Sequence, residues 1–149
     1  MTTIVFKDSV IAYDSRSTNG TTITSDNANK KIVINKVIFI LSGYIGDFEI
    51  LTSAYFDADF QEEIESDGPV ALVVDEGKVF LCSIDTDTKK FWKQPLAGFE
   101  HYAIGSGSLY ALGAIAMGAD AVKAVKVAAS LDVHTGGKIH TVKIKPLPE

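Results

Sequence analysis

Residues 2–16 read "TTIVFKDSVIAYDSR", and the way this stretch folds decides how the rest of the chain is read. β-Branched and aromatic residues at 3–7 and 10–14 suit strands, and Asp8-Ser9 between them suits a tight turn. The stretch therefore predicts a hairpin. Pairing of its two arms brings the carboxylate of Asp14 back towards Thr2. The Thr2 hydroxyl has special chemistry only when Thr2 is the first residue. A free α-amine has a pKa of about 8, so such a threonine carries a base and a nucleophile on one residue. While Met1 is attached, the same nitrogen is an amide without useful basicity. The plain alternatives are a strand-forming threonine and a strand-end aspartate.

The bulk composition narrows the field. With 149 residues, 46% hydrophobic and 22% charged, the chain suits one folded domain, 1–149, with a substantial core. A formal charge of −5 leaves no basic footprint for nucleic acid. Cys82 is the sole cysteine, which fits a reducing compartment and rules out an intrachain disulfide. No apolar run approaches the length of a membrane span, and the start lacks the layout of a signal peptide. A soluble, cytoplasmic protein without membrane or nucleic-acid partners is the expectation. His101, His134 and His140 form no HExxH arrangement, a zinc pattern is missing, and "DTDT" at 85–88 is too short for a calcium loop. No metal or cofactor is expected.

Further along, Asn19-Gly20 marks a second hairpin, and strands are expected at 31–34 and 37–42, broken at Asn35-Lys36. From Asp47 the apolar period becomes helical, predicting a helix over about 46–64. "VALVVDEGKVFLCSID" reads as a hairpin turning at Glu76-Gly77, and "TKKFWKQP" adds a strand. After "YAIGSGS" come a helix over 108–117 and a second one capped by Asp120. "KIHTVKIK" closes as a strand. This order argues for an α+β protein with two antiparallel sheets and helices on their outer faces.

Three local features bear on Thr2. Lys30-Lys31 opens a buried strand, where neighbouring side chains point to opposite faces; one lysine can face inward and affect a nearby hydroxyl. "GSGS", Gly105–Ser108, lies between a strand and a helix and offers a hydroxyl with backbone N–H groups. It has neither GxGxxG nor GxxxxGK spacing. Gly43, in "LSGYIGD", can offer an N–H to a developing oxyanion.

Taken in order, these segments resemble the proteasome β-subunit family, including the HslV-type peptidases. The resemblance runs from "TTIVFKDSVIAYDSR" through "TNGTTITSDNANKK", "FILSGYIGDFEI" and "YAIGSGSLYALGAIAMG" to "LDVHTGGKIHTV". It implies an N-terminal-nucleophile hydrolase with a four-layer αββα sandwich. Matched residue by residue, it makes Thr2 the nucleophile, Asp14 the orienting aspartate and Gly43 the oxyanion-hole residue. Ser106, Asp132 and Thr135 support the amine. The lysine matches Lys31 by its local context, the second of "KK" before an apolar strand, although counting from Asp14 selects Lys30. The implied activity is threonine-type endopeptidase once Met1 is removed, without cofactor, in a homo-oligomer such as a ring, served by an unfolding ATPase. The chain departs from the family in being short, since members usually carry a second helix before "VALVVD". A non-catalytic scaffold subunit and an amidase for small amides are the alternative readings.

Overall fold

A computed structural model describes residues 2–57 and 63–145. The opening stretch folds as its turn chemistry dictates. Strands β1 (Thr3–Lys7) and β2 (Val10–Tyr13) pair antiparallel with Lys7 opposite Val10. Asp8 and Ser9 both adopt positive φ, 51° and 60°, the two-residue turn whose twist matches a hairpin. β3 (Ser17–Asn19) and β4 (Thr22–Ser25) form the next hairpin. Here Asn19 itself pairs with Thr22, so the loop is Gly20-Thr21, one residue beyond the expected turn.

Contacts divide the chain into two compact units, one running to Lys30 and resuming at Gly98, the other Lys31–Ala97. In the first, β10 (His101–Gly105), β1, β2 and β11 (His140–Lys143) form a four-stranded antiparallel sheet in that order. Helices α2 (Ser108–Ala116) and α3 (Ala121–Leu131) pack on one face of it. Val5 and Ala12 of the sheet meet Ala111, Ala121, Ala124, Val125 and Ala128 in a buried cluster. Alanines three and four residues apart give α3 a smooth stripe on which it can lie close to the strands. Asp120 caps α3 by accepting from the Lys123 N–H at 2.8 Å, as its position predicts.

The second unit is a meander of β5 (Lys31–Ile34), β6 (Val37–Ser42), β7 (Val70–Asp75), β8 (Lys78–Ile84) and β9 (Phe91–Pro95). The turns Asn35-Lys36 and Glu76-Gly77 repeat the positive-φ pattern. Helix α1 (Phe48–Tyr55) seats Leu51 and Ala54 against Phe39, Leu41, Ala71, Val73, Cys82 and Ile84. Burial pushes the Cys82 thiol up to about 12, which leaves it an unreactive core residue. α1 is shorter than the helix expected over 46–64. It stops at Tyr55, residues 58–62 lie outside the described part, and 63–69 contain no helix. Acidic residues crowd the sequence just beyond, Asp57, Asp59, Glu62 and Glu63. Negative charge at a helix C-terminus opposes continuation.

Both sheets are antiparallel throughout, each with its helical cover. Residues on their other faces, such as Ile4, Ile11, Ile40 and Leu72, are also fully buried. Among the described residues no helix is long and apolar enough to cross a membrane.

Two glycines give a paired test of the packing. A Cβ on Gly105, at φ +97°, would lie 1.9 Å from the Thr2 carbonyl oxygen, whereas one on Gly113 of α2 meets nothing within 4 Å. Gly105→Ala is expected to destabilise by about 2 kcal/mol or more. Gly113→Ala is expected to stabilise by about 0.5–1 kcal/mol. Urea unfolding of the two variants checks both signs.

Candidate active site

The hairpin register determines where Asp14 lies. With Ile4 opposite Tyr13, the next residue of the second arm falls beside Thr3, and the Asp14 N–H reaches the Thr3 carbonyl at 3.4 Å. The Asp14 side chain is completely buried. Its Oδ1 accepts from the Thr2 hydroxyl, from Lys30 Nζ at 2.7 Å and from the Thr3 N–H at 3.2 Å. Its Oδ2 accepts from the backbone N–H groups of Gly136 at 2.9 Å and Arg16 at 3.3 Å. A buried carboxylate is tolerable only when paired and saturated with donors, and this one meets that condition.

Lys30 Nζ also donates to Thr2 Oγ1. The hydroxyl therefore accepts from an ammonium and donates to a carboxylate. Lys30 is 7% exposed. Burial lowers its pKa, and the attraction of Asp14 offsets that only in part. Lys30, and not the preferred Lys31, is thus the lysine brought to Thr2. Lys31 is exposed, on the first position of β5 opposite Ile40. Consecutive residues at a strand entrance face opposite ways, so the inward place of Lys30 turns Lys31 outward. Counting from Asp14 selects the lysine that lies at Thr2, and local context selects its exposed neighbour.

A second polar network surrounds Asp132. Its Oδ2 accepts from Ser106 Oγ at 2.6 Å and Thr135 Oγ1 at 2.7 Å, and its Oδ1 accepts from the His134 N–H at 3.2 Å. The Thr135 proton is committed to the carboxylate, so Thr3 Oγ1, 2.8 Å away, must be the donor to Thr135. Ser106 Oγ and the Gly107 N–H each lie 3.5 Å from the Thr2 carbonyl oxygen. Burial works against charge on Asp132, but hydrogen bonds from Ser106, Thr135 and His134 outweigh it and hold its carboxyl below the ordinary range.

Of the residues proposed from sequence, Thr2 and Asp14 share the first cluster, and Ser106, Asp132 and Thr135 form the second. Gly43 follows β6 in the other unit, at φ +119°. Sequence reasoning gave Thr3, Arg16 and Gly136 no role in the site. The tandem threonines held a signal. Neighbours in a strand point to opposite faces, so Thr2 serves Asp14 while Thr3 serves Thr135. The glycines of "GSGS" are also explained, since a Cβ on Gly107 would lie 2.0 Å from Thr3 Oγ1. Beside Asp132 is an open groove of about 320 Å³, lined in part by Arg16, Ile23, Leu131 and Val133. Among the described residues no group of three or more His, Cys, Asp or Glu side chains is arranged to hold a metal ion.

The fold is that of the proteasome-subunit-like N-terminal-nucleophile hydrolases. BPH of Thiobacillus denitrificans, solved in complex with epoxomicin, matches with a TM-score of 0.63 at 21% identity, over 97% of this chain and 99% of that one. Eukaryotic HslV from Trypanosoma brucei matches with a TM-score of 0.63 at 19% identity, over 95% of this chain and 98% of that one. No protein-family profile matches the chain, and no curated protein does. The α+β architecture expected from sequence is therefore found, and at these identities the likeness establishes the fold.

The Asp132 network has a pH signature. The folded-state pKa lies below the ordinary 3.8, so on acidification the unfolded chain binds its proton first. The stabilisation is complete above about pH 5 and disappears as pH falls below 3.8 through the depressed value. Asp132→Asn is expected to lose about 1–2 kcal/mol at pH 7, and the difference from the parent should shrink as pH falls below 3.8 through the depressed value. Urea titrations at several pH values measure it.

Proposed function

We propose that this protein is a threonine-type endopeptidase of the proteasome β-subunit and HslV family, with Thr2 as its nucleophile once Met1 has been removed. The observation that carries this reading is the Thr2 hydroxyl held between the Lys30 ammonium and the Asp14 carboxylate, all three buried. An ordinary strand threonine needs neither partner. A cation beside a hydroxyl lowers its pKa and favours the charge that develops as it attacks.

In this reading the freed α-amine of Thr2, directly or through a water, takes the hydroxyl proton as Oγ1 attacks a peptide carbonyl. The bond from Oγ1 to the carbonyl carbon forms, and negative charge moves to the carbonyl oxygen; the family resemblance gives the N–H of Gly43 the part of receiving it. The C–N bond then breaks, and the leaving amine departs with the proton held by the α-amine. An ester remains on Thr2 until water, deprotonated by the same amine, releases the acid. Lys30 lies on Oγ1 and favours the developing negative charge there, and Asp14 keeps Lys30 in place. The contacts of Ser106 and Gly107 with the Thr2 carbonyl, and of Thr3 with Thr135, hold the first residue's backbone. No step calls for a metal or an organic cofactor. The reading also includes a cytoplasmic homo-oligomer, ring-shaped as in the resembled family, that receives unfolded polypeptide from an ATPase.

Intact-mass measurement should find native protein lacking one methionine. With Thr2 exposed, Thr2→Ala and Lys30→Ala should each lower hydrolysis of a peptide panel by about 10³-fold or more. Lys31→Ala should stay within about twofold of the parent. Undiminished activity in Thr2→Ala, or preferential turnover of small acyl-amides over peptides, would defeat the endopeptidase reading.

A further inference from the structure

Arg16 has no part in the chemistry just described, yet three segments that supply the site converge on it. Its Nε and Nη2 bind both oxygens of Asp26, at 2.7 and 3.2 Å, and its Nη1 donates to the Val133 carbonyl at 3.1 Å. Its own backbone N–H goes to Asp14. The guanidinium lies flat against Gly136, where a Cβ would come within 2.4 Å of Arg16 Cζ. Gly136 is the residue whose N–H feeds Asp14 Oδ2. The Arg16 side chain is 19% exposed and that of Asp26 48%, so this is a fork at the edge of the site and not a buried core pair.

Each partner leads to a functional group. Asp26 begins the segment that ends at Lys30, and that segment is stitched to Ser15 by the Ala28 N–H on the Ser15 carbonyl at 2.8 Å. Val133 and Gly136 lie in the segment that carries Asp132, Thr135 and the N–H on Asp14. We infer that Arg16 is a positioning residue: its guanidinium clamps the Asp26 and Val133–Gly136 segments together, and so holds Lys30 and the Gly136 N–H in register on Asp14. The inference rests on the proposed hydrolase function for its effect on rate. Its structural half stands apart from turnover.

The geometry demands a planar fork. Lysine carries the same charge but offers a single point donor, which cannot bind both Asp26 oxygens and the Val133 carbonyl at once. A misplacement of about 1 Å at a reacting group costs up to about 100-fold in rate. A mere surface ion pair would be worth little and would tolerate the change.

The experiment uses full-length protein with Thr2 exposed, as parent, Arg16→Lys and Asp26→Asn. Amide hydrogen exchange of Gly136 is followed together with that of Val125 in the α3 core, and kcat and KM are followed on a peptide substrate. In both variants Gly136 exchange is expected to accelerate about tenfold or more with Val125 unchanged. kcat is expected to fall about tenfold or more at nearly constant KM, and the double variant should be no worse than the poorer single one. Unchanged Gly136 exchange overturns the clamp. Equal acceleration at Gly136 and Val125 also overturns it, because that marks a general loss of stability. Accelerated Gly136 exchange with undiminished kcat overturns the positioning role. If the parent itself has no turnover, the exchange result still decides the clamp, and it is the proposed function that fails.

Discussion

The carboxylate of Asp14 is the constraint around which the site is organised. A fully buried negative charge is among the most expensive groups a protein can hold, and it survives here because five donors converge on two oxygens. Those donors come from the chain start, from the strand end itself, from the approach to β5 and from the loop after α3. Distant parts of the sequence are thereby obliged to meet. The Lys30 ammonium is tolerated for the same reason, as the counter-charge of a group that cannot be left alone. The hydroxyl of Thr2 occupies the remaining space between two charges that need each other whether or not a threonine is present.

The second network has a different character. It is built from hydroxyls around a partly exposed carboxylate, Asp132, and it reaches the chain start through Thr3 and through the carbonyl of Thr2. The division follows from the strand pleat, which sends adjacent threonines to opposite faces. Each of the two is therefore held by its own hydroxyl, Thr2 in one network and Thr3 in the other. Gly105 and Gly107 allow the backbone to approach closely on either side of Ser106, so the loop reads as a spacing device.

Much of this was legible in the sequence because local chemistry and global fold agree. Asp8-Ser9, Asn35-Lys36 and Glu76-Gly77 are turn pairs by residue type, and all three form two-residue hairpins with positive φ. Asp120 announces its helix and caps it. The site was less legible where the outcome depends on a single-residue phase. Lys30 and Lys31 are alike in type, and only the face each takes at the strand entrance separates them. The end of α1 was missed because the apolar period continues on paper beyond Tyr55, while the acidic residues that follow disfavour a helix C-terminus. Arg16 and Gly136 were given no role, since the bonds that tie Arg16 to Val133 and Gly136 to Asp14 join positions more than a hundred residues apart.

The tight turn of the first hairpin has an evolutionary corollary. The two-residue link at Asp8-Ser9 sets how far Asp14 travels back along β1, and the chain between them has no slack. Length can drift in two ways without moving the carboxylate: matched additions to both arms, or growth confined to the loop at the tip. A lone insertion or deletion inside β2 slips the ladder by one and carries the charge away from the hydroxyl. Related chains should therefore vary in the reach of this hairpin while keeping its open end in step, so the distance in sequence from threonine to aspartate is a poor guide to kinship and their pairing is a good one.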